Sequence, residues 1–283
     1  MKHCSRMAAV VAGASLVALA LWAGAASARA GNGGGGPVAH ASIVGGGKAD
    51  PVKWRFMAAV LRRDRLHCGG AVIAPTKVLT AAHCVKSFDP ATLSVVVGRN
   101  RLADKTREEA ISVVAAVAHP DYALSQLHDV GVLTLARPVS APPIALPTPE
   151  EGAILGQPGR LLRVAGWGAQ NPYKVSLPRD LKRTTERVRP NGQCTHAYRH
   201  VFQPETMICA LGKKMGRFRR PSIHSSACSG DSGGPLVADT AAGPVAVGTV
   251  SFGGAFCGLP AAPTVYSRVS GSLDFIAQAL AAS

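Results

Sequence analysis

The chain of 283 residues has few aromatic and few charged side chains. Aromatic residues make up 5% and charged residues 17%, and only 16 acids accompany 31 Lys and Arg residues. Hydrophobic residues nevertheless reach 47%, which excludes a disordered chain and allows a sizeable core. The 31 Gly and 20 Pro residues are too few and too irregularly placed for a collagen-like or low-complexity chain. The length therefore fits one large all-β or α/β unit, or two small domains.

Long hydrophobic runs are absent beyond the N-terminal segment. There, Lys2 and Arg6 form a short positive region, an uncharged alanine-rich stretch follows, and small residues end it. This order predicts a secretory signal peptide over residues 1–28, or 1–30 if a second cleavage frame is used. The alternative is an uncleaved membrane anchor. We therefore expect a secreted protein that is extracellular or periplasmic.

The seven cysteines become an even number once the signal peptide is removed, because Cys4 lies inside it. No two of them have the C-x-x-C spacing of a zinc site. Six cysteines in an exported chain predict three disulfides, whose connectivity the count alone leaves open.

The Gly-rich residues 29–42 predict a flexible pro-segment in front of a folded body that begins near Ile43. Beyond it, short apolar segments alternate with turn signals, a pattern typical of β-barrels or β-sandwiches. The expected strands are 56–61, 70–73, 93–97, 111–117, 130–135, 161–164, 245–250 and 264–269. Prolines clustered between 138 and 149 predict a connector between two halves. Apolar residues at helical spacing over 270–282 predict a short C-terminal helix.

Three separated segments contain residues that suit acyl-transfer chemistry. Ser232 lies among glycines in Gly-Asp-Ser-Gly-Gly-Pro, which leaves its hydroxyl and the neighbouring backbone N–H groups accessible. His83 follows small residues in Thr-Ala-Ala-His-Cys, and Asp129 precedes an apolar strand. Taken singly, the serine turn is also an ordinary loop, and a lone histidine of this kind is more often structural. A buried Asp129 needs a polar partner, however, and a histidine N–H is suitable, so the three would form a nucleophile, a base and an orienting acid.

Five motifs, in order, resemble the trypsin/chymotrypsin-like serine protease family (peptidase S1). They are Ile43-Val-Gly-Gly46, Ala81-Ala-His83-Cys84, the strand after Asp129, Gly166-Trp-Gly168 and Gly230-Asp-Ser-Gly-Gly-Pro235. The resemblance covers residues 43–283 and implies an all-β fold of two six-stranded antiparallel β-barrels, about 43–145 and 146–269, with a cleft between them. It also implies a monomeric serine-type endopeptidase that needs no cofactor and acts on proteins or peptides. The richness in Ala, Gly and Arg and the one-domain layout indicate a bacterial member.

The family's catalytic roles transfer to matching positions of this sequence. Ser232 is the implied nucleophile, His83 the general base and then acid, and Asp129 the residue that orients the imidazole. The backbone N–H groups of Gly230 and Ser232 form the implied oxyanion hole. Ser251 matches the serine that supports the aspartate.

The resemblance also pairs the cysteines. Cys68 with Cys84 would close a loop around the histidine segment, and Cys228 with Cys257 would join the nucleophile loop to the pocket wall. The remaining bond is Cys194–Cys209.

An Ile-Val-Gly-Gly segment after a flexible leader implies a zymogen. In the family, the α-amine freed at this isoleucine pairs with the acid before the nucleophile, here Ile43 and Asp231. The physical reason is that a buried carboxylate requires a cation. The cut would fall between Ser42 and Ile43. Because Ser42 is neither Arg nor Lys, a tryptic activator does not match, and the activating protease stays unknown.

The implied specificity pocket has no acid. Its floor falls on Ser226 beside Ala227, and its walls on Gly253 and Thr264, with Ser251 and Phe252 on the strand that pairs with substrate. We expect a preference for uncharged side chains of medium size, such as Leu, Met or Val, and slower cleavage after large aromatics.

No metal is expected. Relatives that bind calcium use a loop led by a glutamate after the strand that ends at Gly98, where this chain has Arg99-Asn-Arg101.

The formal net charge is +15, and Lys and Arg cluster within residues 213–220. A solvated loop on a basic protein is the plain interpretation, and attraction to an anionic surface is the alternative. Without interleaved aromatic residues, nucleic-acid binding is not expected. A second functional hypothesis is a catalytically silent cationic binding protein of the same fold, although the intact His83, Asp129 and Ser232 argue against it.

Overall fold

Short antiparallel strands form most of the structure, a computed structural model that describes residues 43–102, 110–169, 171, 180–216 and 222–282. The expected signal peptide and pro-segment lie outside the described residues, as do residues 217–220 of the basic loop. No helix among the described residues is long and apolar enough to cross a membrane.

The strands and helices are numbered along the chain. The strands are β1 (Gly47–Lys48), β2 (Met57–Arg62), β3 (Arg65–Ala74), β4 (Lys77–Thr80), β5 (Leu93–Val97), β6 (Ile111–Ala118), β7 (Gly131–Leu135), β8 (Leu161–Gly166), β9 (Lys182–Val188), β10 (Met207–Gly212), β11 (Pro235–Thr240), β12 (Gly243–Phe252) and β13 (Thr264–Arg268). The α-helices are α1 (Tyr122–Ser125), α2 (Pro149–Leu155), α3 (Asn191–Tyr198) and α4 (Leu273–Ala281). Single 3₁₀ turns occur at Ala82–Cys84, Pro90–Thr92, Arg199–Val201 and Ser270–Ser272.

The strands close into two barrels. The first has the order β2-β3-β4-β7-β6-β5 and is closed. The second runs β9-β10-β13-β12-β11-β8, and an antiparallel pairing of β8 with β9 closes it. β1 extends the second barrel by pairing with β9. The predicted pair of six-stranded antiparallel barrels with a short C-terminal helix is therefore confirmed.

Strand β9 shows why the sequence pattern predicts some strands and not others. Its inward-facing residues are Lys182, Thr184, Glu186 and Val188, which alternate with exposed or half-buried ones. The alternation is regular, but most inward positions are polar, so hydrophobicity does not mark the strand. Strands β4, β10 and β11 and helices α1 to α3 were likewise not expected.

One apolar cluster contains residues of both barrels and of the C-terminal helix. Phe56 and Val132 come from the first barrel and its entry, Trp167 and Val237 from the second barrel and its loops, and Ile276 from α4. The two barrels therefore share part of their apolar core.

Candidate active site

The loop 228–235 presents Ser232 in a tight turn just before β11. The N–H of Asp231 donates to the Cys228 carbonyl at 2.9 Å, and the N–H of Gly234 donates to the Asp231 carbonyl at 2.9 Å. Two glycines make this turn possible, because Gly230 has φ of 96° and Gly233 has φ of 77°. A Cβ atom on Gly233 would also lie 2.7 Å from both the Ala81 nitrogen and the Gly69 oxygen. The loop is thus pressed against the first barrel.

The backbone of Ser232 is held by the first barrel. Its carbonyl accepts a hydrogen bond from the Gly69 N–H at 2.7 Å and lies 3.8 Å from the Cys84 Sγ. Cys84 is bonded to Cys68 on β3, and His83 precedes it in the 3₁₀ turn. These contacts bring Ser232 next to the histidine segment.

Asp129 orients His83 through two hydrogen bonds. The His83 Nδ1 lies 2.7 Å from the Asp129 Oδ2, and the backbone N–H of His83 donates to Oδ1 at 2.9 Å. Asp129 is 3% exposed, whereas the His83 side chain is 30% exposed. The second ring nitrogen of His83 is therefore the one available to the cleft. No hydrogen bond between the Ser232 hydroxyl and the His83 ring occurs among the described residues, and such bonds often tighten only when substrate binds.

Strand β12 completes the surroundings of Asp129. The Ser251 hydroxyl donates to the Asp129 Oδ2 at 2.6 Å, as the resemblance implied. The Thr249 hydroxyl donates to the Asp129 carbonyl at 3.1 Å, a contact that sequence reasoning missed. The carboxylate thus accepts three hydrogen bonds, which fix its orientation toward the imidazole.

Asp231, which precedes Ser232 in the loop 228–235, is fully buried. Its carboxylate accepts hydrogen bonds from the Gly168 N–H at 2.7 Å and the Cys228 N–H at 2.9 Å. Burial raises the pKa of Asp231 to about 7, against the opposing effect of these two bonds. The motif Gly166-Trp-Gly168 therefore supplies a backbone hydrogen-bond donor to the Asp231 carboxylate, a role that the sequence does not reveal.

Glu186 is a second fully buried acid, and no sequence signal marked it. Its carboxyl group accepts from the Ala227 N–H at 3.0 Å and lies 2.9 Å from the Tyr266 hydroxyl. Burial raises the pKa of Glu186 to about 8, and the nearby Asp231 contributes to the rise. At neutral pH this group is therefore mostly protonated and adds little charge behind the pocket wall.

A pocket of about 210 Å³ opens beside Ser232. Among its lining residues are the predicted Ala227, Ser251, Phe252, Gly253 and Thr264, and none of the described residues that line it is charged. Ser226, the predicted floor residue, is fully buried and is not among the residues that line the pocket; its hydroxyl contacts two that are, Thr264 at 2.6 Å and the Ala227 carbonyl at 2.9 Å.

Ile43 and Val44 lie inside the second barrel region with no exposed surface. The Val44 carbonyl accepts from the Ser226 N–H at 3.0 Å, so this segment pairs with the strand that enters the nucleophile loop.

Three disulfides are present, in the pairing that the resemblance implied: Cys68–Cys84, Cys194–Cys209 and Cys228–Cys257. Among the described residues, one group of potential metal ligands is close enough to share an ion, and it consists of Cys68, His83 and Cys84. Both of its sulfurs belong to a disulfide, and His83 is bonded to Asp129, so this group does not fit a metal.

Comparisons with known proteins agree with this geometry. The family model described as Trypsin matches residues 43–276. Serine protease 57 of Rattus norvegicus is 34% identical over 245 residues, which cover 85% of this chain and 84% of the relative. Trypsin of Saccharopolyspora erythraea is 33% identical and covers 83% and 96% respectively. Glucanase inhibitor protein 3 of Phytophthora infestans is 34% identical and covers 74% and 76%. Two closed barrels, a serine loop that rests on the histidine segment and a match over most of the chain lead to one conclusion: this chain belongs to the trypsin family and is a serine-type endopeptidase.

Proposed function

We propose that the protein is a secreted endopeptidase in which Ser232, His83 and Asp129 act as a catalytic triad. The observation that carries the proposal is the 2.7 Å contact between His83 Nδ1 and the buried Asp129, with the other ring nitrogen left to the cleft beside Ser232. The Ser232 hydroxyl attacks the scissile carbonyl and His83 accepts its proton. His83 then gives this proton to the leaving amine, and water releases the acyl group by the reverse sequence.

The backbone N–H groups of Gly230 and Ser232 stabilise the oxyanion in this mechanism. The positive φ of Gly230 supports this role, because it sets the tight turn that leads into Ser232, and the intervening Asp231 N–H is already bonded to the Cys228 carbonyl.

A fluorophosphonate probe tests the proposal, because it labels only an activated serine. The processed wild-type protein is expected to be labelled at Ser232, and the Ser232→Ala variant is the control. A processed protein that stays unlabelled would favour the second hypothesis, a catalytically silent binding protein of the same fold. One relative is named a glucanase inhibitor, which motivates this alternative.

We further propose that the chain is a zymogen activated between Ser42 and Ile43. Two observations support this idea: Ile43 and Val44 are buried, and the Val44 carbonyl accepts a hydrogen bond from Ser226, which lies just before the loop that carries Ser232. Asp231 has no ion pair with a described cation. A new α-amine would supply one and lower the pKa of its carboxyl group.

Mass spectrometry of the active secreted protein is expected to give Ile43 as the N-terminus. A Ser42→Arg variant offers a positive control, since added trypsin should then produce the same terminus and the same activity. An active enzyme with any other terminus contradicts the proposal.

The proposed specificity is for uncharged side chains of medium size. Support comes from the uncharged lining of the pocket and from Thr264, a nearly buried residue of that lining. A peptide library is expected to show cleavage mainly after Leu, Met or Val. Cleavage mainly after Arg or Lys would contradict it.

Secretion is part of the proposal. Three disulfides support it, because such bonds persist in oxidising compartments. Fractionation of the producing cells should place the processed protein outside the cytoplasm.

A further inference from the structure

The hairpin that joins β2 to β3 carries three arginines, and β3 also contacts Ser232 through Gly69. Arg62, Arg63 and Arg65, together with Leu66 and His67, line an open cavity of about 500 Å³. Asp64 at the turn is the acid of this hairpin, and no ion pair of the three arginines occurs among the described residues. The hairpin therefore keeps an excess of positive charge, because Asp64 offsets only one of the three arginines.

The backbone of this turn is strained. Arg63 has φ of 49° and Asp64 has φ of 62°, so two consecutive residues with side chains occupy the left-handed region. A two-residue hairpin of this type ordinarily uses Asn-Gly or a similar pair. Strain of this kind persists where the surrounding structure and the function require it. Here it places Arg63 at the tip and Arg62 opposite Arg65 across the ladder.

Arg62 is held in place by an aromatic neighbour. Its guanidinium lies 4.2 Å from the centre of the Phe88 ring, and its Nε is buried without a hydrogen-bond partner among the described residues. The position of this cation is therefore fixed before any ligand arrives.

The cavity belongs to the first barrel, on the hairpin between β2 and β3. The pocket is lined by residues of the second barrel, and the two cavities share none of their lining residues. His67 bonds through its ring to the Cys84 carbonyl at 3.1 Å, and Gly69, two residues further along β3, contacts Ser232. Since the acyl side occupies the pocket of the second barrel, we infer that the leaving-group side of a peptide runs from Ser232 along β3 toward the hairpin.

The spacing sets which substrate residues can reach the arginines. From Gly69 back to Arg65 the strand spans roughly 13 Å at about 3.3 Å per residue. An extended peptide advances at the same rate, so the second to fourth residues after the scissile bond come within reach of the arginine side chains. Burial lowers the pKa of His67, with Arg62 and His83 adding to the effect, so the arginines supply the charge at neutral pH.

We propose that this arginine hairpin, residues 62–67, is a binding site for acidic side chains on the leaving-group side of the substrate. The inference rests on the proposed endopeptidase activity and adds the class of substrate that it favours. Asp or Glu at the second to fourth positions after the scissile bond pairs with Arg63 and Arg65, which raises the rate of productive binding.

Two quenched fluorescent peptides and one coumarylamide test this proposal with the processed enzyme. The peptides share the best acyl side from the library and carry Asp-Glu or Ser-Ser at the second and third leaving-group positions. The coumarylamide has the same acyl side and no residue beyond the scissile bond. At low salt the wild type is expected to cleave the acidic peptide about five-fold faster in kcat/KM than the neutral one. This difference should vanish at high salt because of screening.

The variant Arg63→Asn/Arg65→Gln removes two exposed charges, and Asn also tolerates the left-handed turn. It is expected to lose the preference for the acidic peptide while cleaving the coumarylamide like the wild type. The matched control, Arg55→Gln/Arg160→Gln, removes two exposed arginines elsewhere and should keep the preference.

Equal rates for both peptides in the wild type, with the coumarylamide cleaved, would overturn this inference alone. A preference that survives in the double variant would also overturn it. Heparin binding that depends on Arg63 and Arg65, with equal peptide rates, would assign the hairpin to a polyanion instead. Failure to cleave the coumarylamide would overturn the proposed endopeptidase activity, and this inference with it.

Discussion

Thr264, which lines the pocket beside Ser232, donates a hydrogen bond to the buried Ser226, with their hydroxyl oxygens 2.6 Å apart. The direction follows because the Ser226 hydroxyl donates its own proton to the Ala227 carbonyl at 2.9 Å. The two side chains form a neutral barrier whose outer face is Thr264.

Replacing Thr264 by glycine should deepen the pocket. The Thr264→Gly variant is expected to favour Phe over Leu substrates more than the wild type does, because the space of the methyl and hydroxyl groups becomes available. The shift in kcat/KM ratio should correspond to about 1–3 kcal/mol of activation free energy. Ser226 keeps its bond to Ala227, so the fold should tolerate the change. Thr264→Ser retains the hydroxyl and should shift the ratio less; an equal shift in both variants would speak against a steric barrier.

The three hydrogen bonds to the Asp129 carboxylate should differ in their weight. Asp129→Asn is expected to lower kcat by about 10⁴-fold, because the amide favours the wrong tautomer of His83. Ser251→Ala removes one bond and leaves the contacts to His83, so a fall of about ten-fold is expected. Steady-state kinetics on one substrate compare the two, and a Ser251→Ala enzyme as impaired as Asp129→Asn would contradict this ranking.

Glu186 should make the uncut protein less stable as the pH rises. Its pKa is raised to about 8 in the folded chain, so the folded state binds the proton more tightly than the unfolded state. The stabilisation is complete below the ordinary pKa of about 4.5 and is lost as the pH rises to 8. In Glu186→Gln this loss should be absent, and the difference in unfolding free energy between the two proteins should change by on the order of a few kcal/mol over that range.

Chemical denaturation across this pH range measures the effect. A Ser232→Ala background prevents self-digestion, and Asp231 is present in both proteins, so its own titration largely cancels. Parallel curves for the two proteins would show that Glu186 does not titrate in this range.

Gly233 should be irreplaceable for two separable reasons. Gly233→Ala places a Cβ in a left-handed backbone and against the backbone of Ala81 and Gly69, so we expect a loss of more than about 3 kcal/mol in unfolding free energy. Gly159→Ala is the matched control, because Gly159 has φ of 89° with no atom within 4 Å of the added Cβ. It should cost only about 1 kcal/mol from backbone strain. Similar losses in both variants would show that the close approach at Gly233 does not matter.

The proposed catalytic residues stand out in the sequence because the chemistry proposed for them leaves a local mark. Ser232 requires glycines beside it, and His83 lies among small residues that let the turn approach the serine loop. Thr249 could not be predicted, since its partner Asp129 is 120 residues away and nothing in its own segment distinguishes it.

Glu186 escaped prediction for a related reason. A glutamate in a strand rich in Lys, Arg and Thr looks like a solvated residue, and only the closed barrel shows that it points inward. The two-barrel fold, in contrast, followed from the family motifs, because their succession along the chain is specific to one fold.

The contact between Gly69 and Ser232 makes catalysis a property of the pair of barrels. Each barrel is closed and has its own apolar interior, yet the serine carbonyl takes its hydrogen bond from the other barrel. Heating that loosens the shared cluster around Phe56 and Trp167 would pull this contact apart while the strands of both barrels persist. Inactivation should then precede the loss of β-sheet circular dichroism, and a bound peptide that spans the cleft should delay it by tying the two halves together.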